Sequence, residues 1–228
     1  MKPGMAILPG VAADTGYSIA YSALFDGSTG YFHRTPGSAG DSQTWTFSWW
    51  MLMTKVPNLQ KIFGAGASAY EFVHFGGDYL GDSVQALYYV GGAATNFKAR
   101  AMYRDLSAWS HWVWSSNSTS GANATKIFQN GVEIPAAEMT TGHTLPLNHS
   151  WSINDTELHR IGARPDSVSQ FFTGYMADAI MVDGQVLTAS SFGETDLTTG
   201  NWIPKKYTGT YGTNGFNLNF ADNRDIKC

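Results

Sequence analysis

The clearest pattern in the chain is the alternation of large apolar side chains with mixed ones over residues 45–53. The positions that face one way are uniformly long and apolar: Trp45, Phe47, Trp49, Met51 and Met53. A period of two residues is typical of a β-strand with one face in a hydrophobic core. This stretch therefore predicts a central strand whose tryptophans pack between two sheets.

Shorter apolar runs recur along the rest of the chain, divided by turns rich in Gly, Asn and Asp. No segment between them shows helical periodicity over three turns. The further predicted strands are residues 21–25, 31–34, 61–64, 70–75, 85–90, 97–102, 109–114, 126–128, 132–134, 159–162, 175–182 and 216–220. Evenly spaced short strands with turn punctuation favour an all-β fold, a two-sheet antiparallel β-sandwich.

Two dipeptides predict specific tight turns. Asn130-Gly131 lies between two short strands and predicts a type I′ hairpin, because both residues tolerate positive φ. Asp183-Gly184 follows the strand at residues 175–182, and the same rule predicts a hairpin turn there with positive φ at both positions. On this interpretation Asp183 is a turn residue and has no catalytic role.

Length and charge limit the organisation and the partners. A β-sandwich can use a chain of 228 residues as one domain, so we expect residues 17–228 to form a single unit. Residues 1–16 are rich in Gly, Pro and Ala, which predicts an extended N-terminal arm. The net charge is −4 and no Lys/Arg cluster exceeds the pair Lys205-Lys206, so nucleic acid is not an expected partner.

The single cysteine, Cys228, excludes an intrachain disulfide, so packing must supply the stability. The apolar run at residues 5–8 is too short for a signal peptide, and no run approaches the length of a membrane span. We therefore expect neither export nor membrane insertion.

Catalytic signatures are missing from the sequence. Glycosidases with a sandwich fold place their paired carboxylates on one strand at E-x-D-x-x-E spacing, and that triplet does not occur. The chain also lacks a G-x-S-x-G elbow for a nucleophilic serine. The prediction is that this protein is not an enzyme.

Two kinds of binding site have candidate residues. A sugar site needs exposed aromatic rings beside planar polar groups, and the aromatic candidates in loops are Trp151, Tyr207 and Tyr211. A calcium (Ca²⁺) site needs clustered carboxylates in a loop, and the candidates are Asp78, Asp82 and Asp105. Each of these Asp residues could instead serve only its turn. His111 has no partner at ligand spacing, which favours a hydrogen-bonded structural role.

Several longer strings resemble a known family. These are LFDGSTGYFHRTPGSAG, TWTFSWW, the W-x-H-x-V element around His111, the Asn130-Gly131-Val132 turn, and the late stretch that runs from GYMADAIMVDGQVLTASSFGE to WIPKKYTGTYGTNGF. Together they resemble the concanavalin A-like, laminin-G-like jelly rolls encoded by marine bacteriophages, which occur in tail fibres and head-decoration proteins. In that fold the late strand lies beside the chain's first strand and closes the sandwich.

The resemblance implies a structural virion protein, either a capsid decoration subunit or a tail-associated one. Its expected partners are the major capsid protein or tail proteins and further copies of itself, and its expected location is the virion after synthesis in the host cytoplasm. Host or environmental glycans are further candidate ligands. Two alternatives remain: a carbohydrate-binding module or adhesin, and a glycoside hydrolase.

Overall fold

The computed structural model describes residues 17–56, 59–66, 71–75, 83–90, 93–120, 125–139 and 145–221, and the predicted arm at residues 1–16 lies outside them. Sheet 1 contains seven strands: β1 (Ala23–Asp26), β3 (Thr44–Met53), β8 (Ser110–Asn117), β9 (Thr125–Gln129), β10 (Val132–Glu133), β12 (Thr173–Asp183) and β15 (Phe216–Leu218). Sheet 2 contains six: β2 (Phe32–Arg34), β4 (Gln60–Ala65), β5 (Glu71–Phe75), β6 (Val84–Val90), β7 (Ala93–Lys98) and β11 (His159–Ile161). A small hairpin joins β13 (Gly193–Thr195) to β14 (Trp202–Pro204).

All named strand pairs are antiparallel, so the predicted all-β sandwich is confirmed. Short 3-10 helices occur at Ser118–Ser120, Ala136–Glu138 and Ala189–Ser191. Strand β12 lies between β3 on one side and both β1 and β15 on the other. The expected placement of the late strand beside the first one is therefore correct. No helix within the described ranges has the length and apolar character needed to cross a bilayer.

Strand β3 contributes five large apolar side chains to the core between the sheets, as its alternation predicts. The five apolar residues that alternate from Trp45 to Met53 are all buried. Trp45 packs edge-on against Trp114 with ring centroids 4.6 Å apart, and Phe47 stacks on Phe63 of the opposite sheet at 4.1 Å. Aromatic pairs at these separations stabilise a core beyond the area that they bury.

A second apolar layer covers the outer face of sheet 1. Val113, Ile180 and Val182 point away from the core and pack against Phe192 and Tyr207, from the segment that follows β12. The β13–β14 hairpin belongs to this segment, and sequence analysis did not predict it. Its three-residue strands are too short to show an alternating pattern.

The two predicted tight turns have different outcomes. Asn130 and Gly131 adopt φ values of 45° and 86°, which confirms the type I′ turn. Gly184 has a φ of 76°, whereas Asp183 is the last residue of β12 and has no positive φ. The predicted hairpin after β12 is wrong, because the next strand, β13, pairs with β14.

Candidate functional site

The structure places Trp151 in the core rather than on a loop surface. Its side chain is 1% exposed, and its ring lies 5.4 Å from the rings of both Trp45 and Trp114. Its indole nitrogen donates a hydrogen bond to Ser116 Oγ at 2.8 Å. The expectation of an exposed platform at Trp151 is wrong, because the ring fills the end of the sandwich.

The two candidate tyrosines lie together in the outer layer of sheet 1. Tyr207 is buried, and its hydroxyl donates to the carbonyl oxygen of Thr210. Its ring lies 5.1 Å from Phe192 and 5.3 Å from the half-buried Tyr211. Tyr207 therefore packs and does not present a face to a ligand, whereas Tyr211 keeps part of its ring exposed.

The calcium prediction has little support within the described chain. Asp78 and Asp82 lie outside the described residues, and Asp105 is exposed. Hydrogen bonds from the Ser107 hydroxyl and amide lower the pKa of Asp105, so this carboxylate is engaged in its own turn. No group of three or more His, Cys, Asp or Glu side chains suited to a metal occurs in the part of the chain that the structure describes.

His111 is a buried structural residue, as predicted. It stacks on Trp50 at 4.8 Å and on Trp202 at 6.1 Å. The Trp202 indole donates to Nδ1 at 3.0 Å, so Nε2 carries the proton and donates to Ser48 Oγ at 2.8 Å. Burial lowers the pKa of His111 to about 3, and the ring is neutral at ordinary pH.

Asp183 is the centre of a buried hydrogen-bond network instead of a turn residue. Its carboxylate accepts hydrogen bonds from the amide of Asp41 at 2.8 Å, from Asn154 Nδ2 at 2.5 Å and from the amide of Asn214 at 3.0 Å. These donors come from three distant stretches of chain. The network therefore fixes the loops at one end of the sandwich.

The outer face of sheet 2 carries a row of polar side chains on four adjacent strands. The strand register places them side by side: Lys61, His74, Gln85 and Lys98. All four are at most 9% exposed. A ligand could not reach this row without a rearrangement, so the row is not the candidate site.

An open cleft lies at the edge of the sandwich, where β2 of sheet 2 approaches β15 of sheet 1. Its volume is about 320 Å³, within the range of small-ligand sites. We call it the edge cleft and define it by six of its lining residues: Tyr31, Phe32, Arg34, Arg160, Phe216 and Leu218. Aromatic and aliphatic side chains form most of the wall, and the rim at Arg34 is exposed.

Arg34 is held at the rim by the Asp183 network. It donates from Nη1 to the carbonyl oxygen of Asn214 at 2.9 Å and from Nη2 to Asn214 Oδ1 at 3.3 Å. Asn214 is itself fixed by Asp183 and by the carbonyl oxygen of Ser38. The guanidinium group also lies 5.7 Å from the ring centroid of Phe216, so a planar cation covers an aromatic wall.

The lining of the edge cleft includes a second arginine with an aromatic neighbour. The Arg160 guanidinium lies 5.5 Å from the centre of the Tyr31 ring and donates to the carbonyl oxygens of Arg164 and Pro165. Sequence analysis missed this site because Arg34, Arg160 and Phe216 are far apart in the chain. The run Tyr31-Phe32-His33-Arg34 in LFDGSTGYFHRTPG was the available signal, since two aromatic residues are followed there by two planar polar ones.

The chain matches a family model in sequence and solved structures in fold. A family model described as the concanavalin A-like lectin/glucanases superfamily, of laminin-G type, matches residues 26–192. No curated protein matches the chain in sequence.

Solved structures share the fold at low sequence identity. A heptameric SAP-like pentraxin from Limulus polyphemus is 13% identical with a TM-score of 0.53, over 86% of this chain and 93% of the pentraxin chain. Domain 4 of AbnA, an extracellular arabinanase from Geobacillus stearothermophilus solved with arabinotriose, is 14% identical with a TM-score of 0.54, over 82% and 79% of the two chains.

Proposed function

This chain belongs to the concanavalin A-like lectin/glucanase superfamily, and from that premise we propose that it is a non-catalytic, lectin-like domain that binds carbohydrate in the edge cleft. The observation that carries the proposal is the pairing of aromatic rings with planar polar groups around an open cleft. Sugar rings present apolar C–H faces to aromatic side chains and hydroxyl groups to planar hydrogen-bonding side chains. Tyr31, Phe216 and Arg34 supply both kinds of contact.

The cleft suits binding because its polar rim is preorganised. Arg34 is tied through Asn214 to the buried carboxylate of Asp183, so a ligand would not have to order this side chain. Immobilising a long side chain on binding costs roughly 0.5–1.5 kcal/mol, and a pre-fixed group avoids that loss. The volume of about 320 Å³ leaves room for a small saccharide unit.

A non-catalytic role agrees with the positions of the late carboxylates. Glycoside hydrolysis requires two carboxyl groups that flank the scissile bond. Asp183 accepts three hydrogen bonds within its network, and the buried Asp178 accepts one from the Tyr17 hydroxyl at 2.9 Å. None of the described residues that line the edge cleft is acidic.

A glycan array with the purified chain tests the proposal. Specific binding should weaken about tenfold in Tyr31→Ala, which removes an aromatic ring from the cleft wall. Tyr21→Ala is the matched control, because Tyr21 is 56% exposed and does not line the cleft. Thermal unfolding of each variant shows whether the fold survives. An array without any specific signal would end the carbohydrate proposal.

A second candidate function, a structural protein of a bacteriophage virion, rests on the strings of sequence that resemble phage jelly rolls. Three of the strings that resemble phage jelly rolls meet in one place, since Trp50, His111 and Trp202 form a continuous stack. Gln185, from GYMADAIMVDGQVLTASSFGE, connects two other strings. Its carbonyl oxygen accepts a hydrogen bond from Thr46 Oγ1 in TWTFSWW, and its side-chain amide donates to the carbonyl oxygen of Thr210 in WIPKKYTGTYGTNGF. The shared strings thus form one structural unit.

On this proposal the domain attaches to a capsid or tail and displays its carbohydrate-binding cleft. Its partners are the major capsid protein or tail proteins and further copies of itself. Mass spectrometry of purified particles, with an antibody label viewed by electron microscopy, tests the location. If the protein never co-purifies with particles from infected cells, the virion proposal fails while the carbohydrate proposal stands.

A further inference from the structure

The charged side chains that line the edge cleft are all positive. Arg34 and Arg160 line it, and its described lining contains no Asp or Glu. His159 also lines the cleft, but burial lowers its pKa to about 4, so this ring is neutral at ordinary pH. Two permanent positive charges therefore have no carboxylate partner within the described lining.

Arg34 retains hydrogen-bonding capacity toward the cleft. A guanidinium group has five N–H donors, and Arg34 uses two of them on Asn214. The remaining three have no partner among the residues that the structure describes. The aromatic ring of Phe216 lies 5.7 Å away and accepts no strong hydrogen bond. A ligand oxygen at the rim would satisfy donors that are already fixed in position.

Arg160 is held in place by its neighbours. Its Nη1 donates to two backbone carbonyl groups and its guanidinium lies over the Tyr31 ring. Its Nε is buried, so a ligand could not reach that donor. Of the two arginines, Arg34 is therefore the one that offers fixed donors at an exposed rim.

From this arrangement we propose that the edge cleft selects acidic saccharides, and that Arg34 is the specificity-determining residue through a hydrogen-bonded ion pair with a sugar carboxylate. The inference rests on the proposed carbohydrate function. Guanidinium and carboxylate groups match in shape and charge, and their hydrogen bonds are about twice as strong as neutral ones.

The test compares acidic trisaccharides with their own carboxyl-reduced, neutral forms by isothermal titration calorimetry. The panel contains galacturonate, glucuronate, mannuronate and guluronate trisaccharides, together with sialyllactose and lactose. The wild-type chain should bind at least one acidic member about tenfold or more tightly than its neutral counterpart. Higher ionic strength should reduce this preference, since salt screens exposed charges.

Two variants locate the effect. Arg34→Met keeps an apolar side chain of similar length and should abolish the preference for the acid, because it lowers the affinity for the acidic sugar more than the affinity for its neutral counterpart. Arg100→Met removes an exposed charge that does not line the cleft and should leave the preference unchanged. Melting curves for both variants confirm that they are folded.

The outcomes separate the two proposals. Equal affinity for acidic and neutral sugars in the wild type would overturn acidic selectivity and leave carbohydrate binding intact. A preference that persists in Arg34→Met, or that also disappears in Arg100→Met, would overturn the role of Arg34. Absence of binding to every panel member, with no signal on the glycan array, would remove the carbohydrate function itself.

Discussion

Acid should destabilise this fold well above the pH at which carboxylates titrate, because two histidines are buried in the neutral form. His111 accepts a hydrogen bond on Nδ1 from the Trp202 indole. His159 accepts one on Nε2 from the amide of Asn154, while its Nδ1 donates to the carbonyl oxygen of Glu157. In each ring the unprotonated nitrogen faces a donor, so a second proton would break a hydrogen bond and place a charge in the core.

The direction of the effect follows from the pKa values. Burial lowers the pKa of His111 to about 3 and that of His159 to about 4, both below the ordinary value of 6.5. At these two sites the unfolded chain therefore binds more protons than the folded chain below pH 6.5. The stability contributed by each neutral ring is complete above pH 6.5 and is lost as the pH falls toward the folded-state pKa.

Each ring should cost about 2 kcal/mol of unfolding free energy between pH 8 and pH 5, at roughly 1.4 kcal/mol per pH unit below 6.5. Two rings together should cost about 4 kcal/mol, a large share of the 5–15 kcal/mol that is typical of domains. Urea unfolding followed by tryptophan fluorescence at half-unit pH steps measures the free energy directly.

The substitution His111→Gln isolates one ring. The variant should be less stable than the wild type at pH 8. Between pH 8 and pH 5, however, its free energy of unfolding should fall by about 2 kcal/mol less than that of the wild type. His159→Gln should reduce the loss by a similar amount, and the two reductions should add. An unchanged pH dependence in His111→Gln would refute the claim that this ring is buried in its neutral form.

Three further predictions concern stability and use the same urea assay. Asp183→Ala removes the acceptor of three hydrogen bonds, two of them buried, and should cost about 3–5 kcal/mol, whereas removing the exposed carboxylate in Asp105→Ala should shift the midpoint little. Gly131→Ala should cost about 1–3 kcal/mol, because φ is +86° and a Cβ there would lie 2.5 Å from the indole ring on β14. Gly184 has a similar φ but open space around it, so Gly184→Ala should lose only the free energy that an Ala costs at positive φ. Equal losses of stability in the two glycine variants would contradict the packing argument. Trp151→Ala should cost about 3–5 kcal/mol, and a near-neutral effect would contradict its place in the core.

The sequence predicts those features that are set by local pattern. The alternation from Trp45 to Met53 fixes which face of β3 enters the core, because a slip of one residue would expose every large side chain. The Asn130-Gly131 turn follows from two residues that both tolerate positive φ. In both cases the deciding interactions lie within a few residues of one another.

The sequence does not predict features that depend on distant partners. Asp183-Gly184 has the composition of a hairpin turn, but three donors from other loops hold the Asp183 carboxylate and override the local preference. Trp151 lies in an irregular stretch and becomes buried only because Trp45 and Trp114 leave a space at the end of the sandwich. The edge cleft joins three separate strands, so no local pattern identifies it.

The pairing of β12 has a consequence for how the protein is made. Strands β1 and β15 both join the same side of β12, yet one lies near the beginning of the described chain and the other near its end. The pairing of β1 with β12 must wait until β12 has been translated, and the pairing of β15 with β12 must wait until the end of the described chain has been translated. The first of these pairings joins distant segments, which slows folding, and an exposed strand edge invites association with other chains. During synthesis, β12 should therefore remain a target for chaperones until its last neighbour emerges.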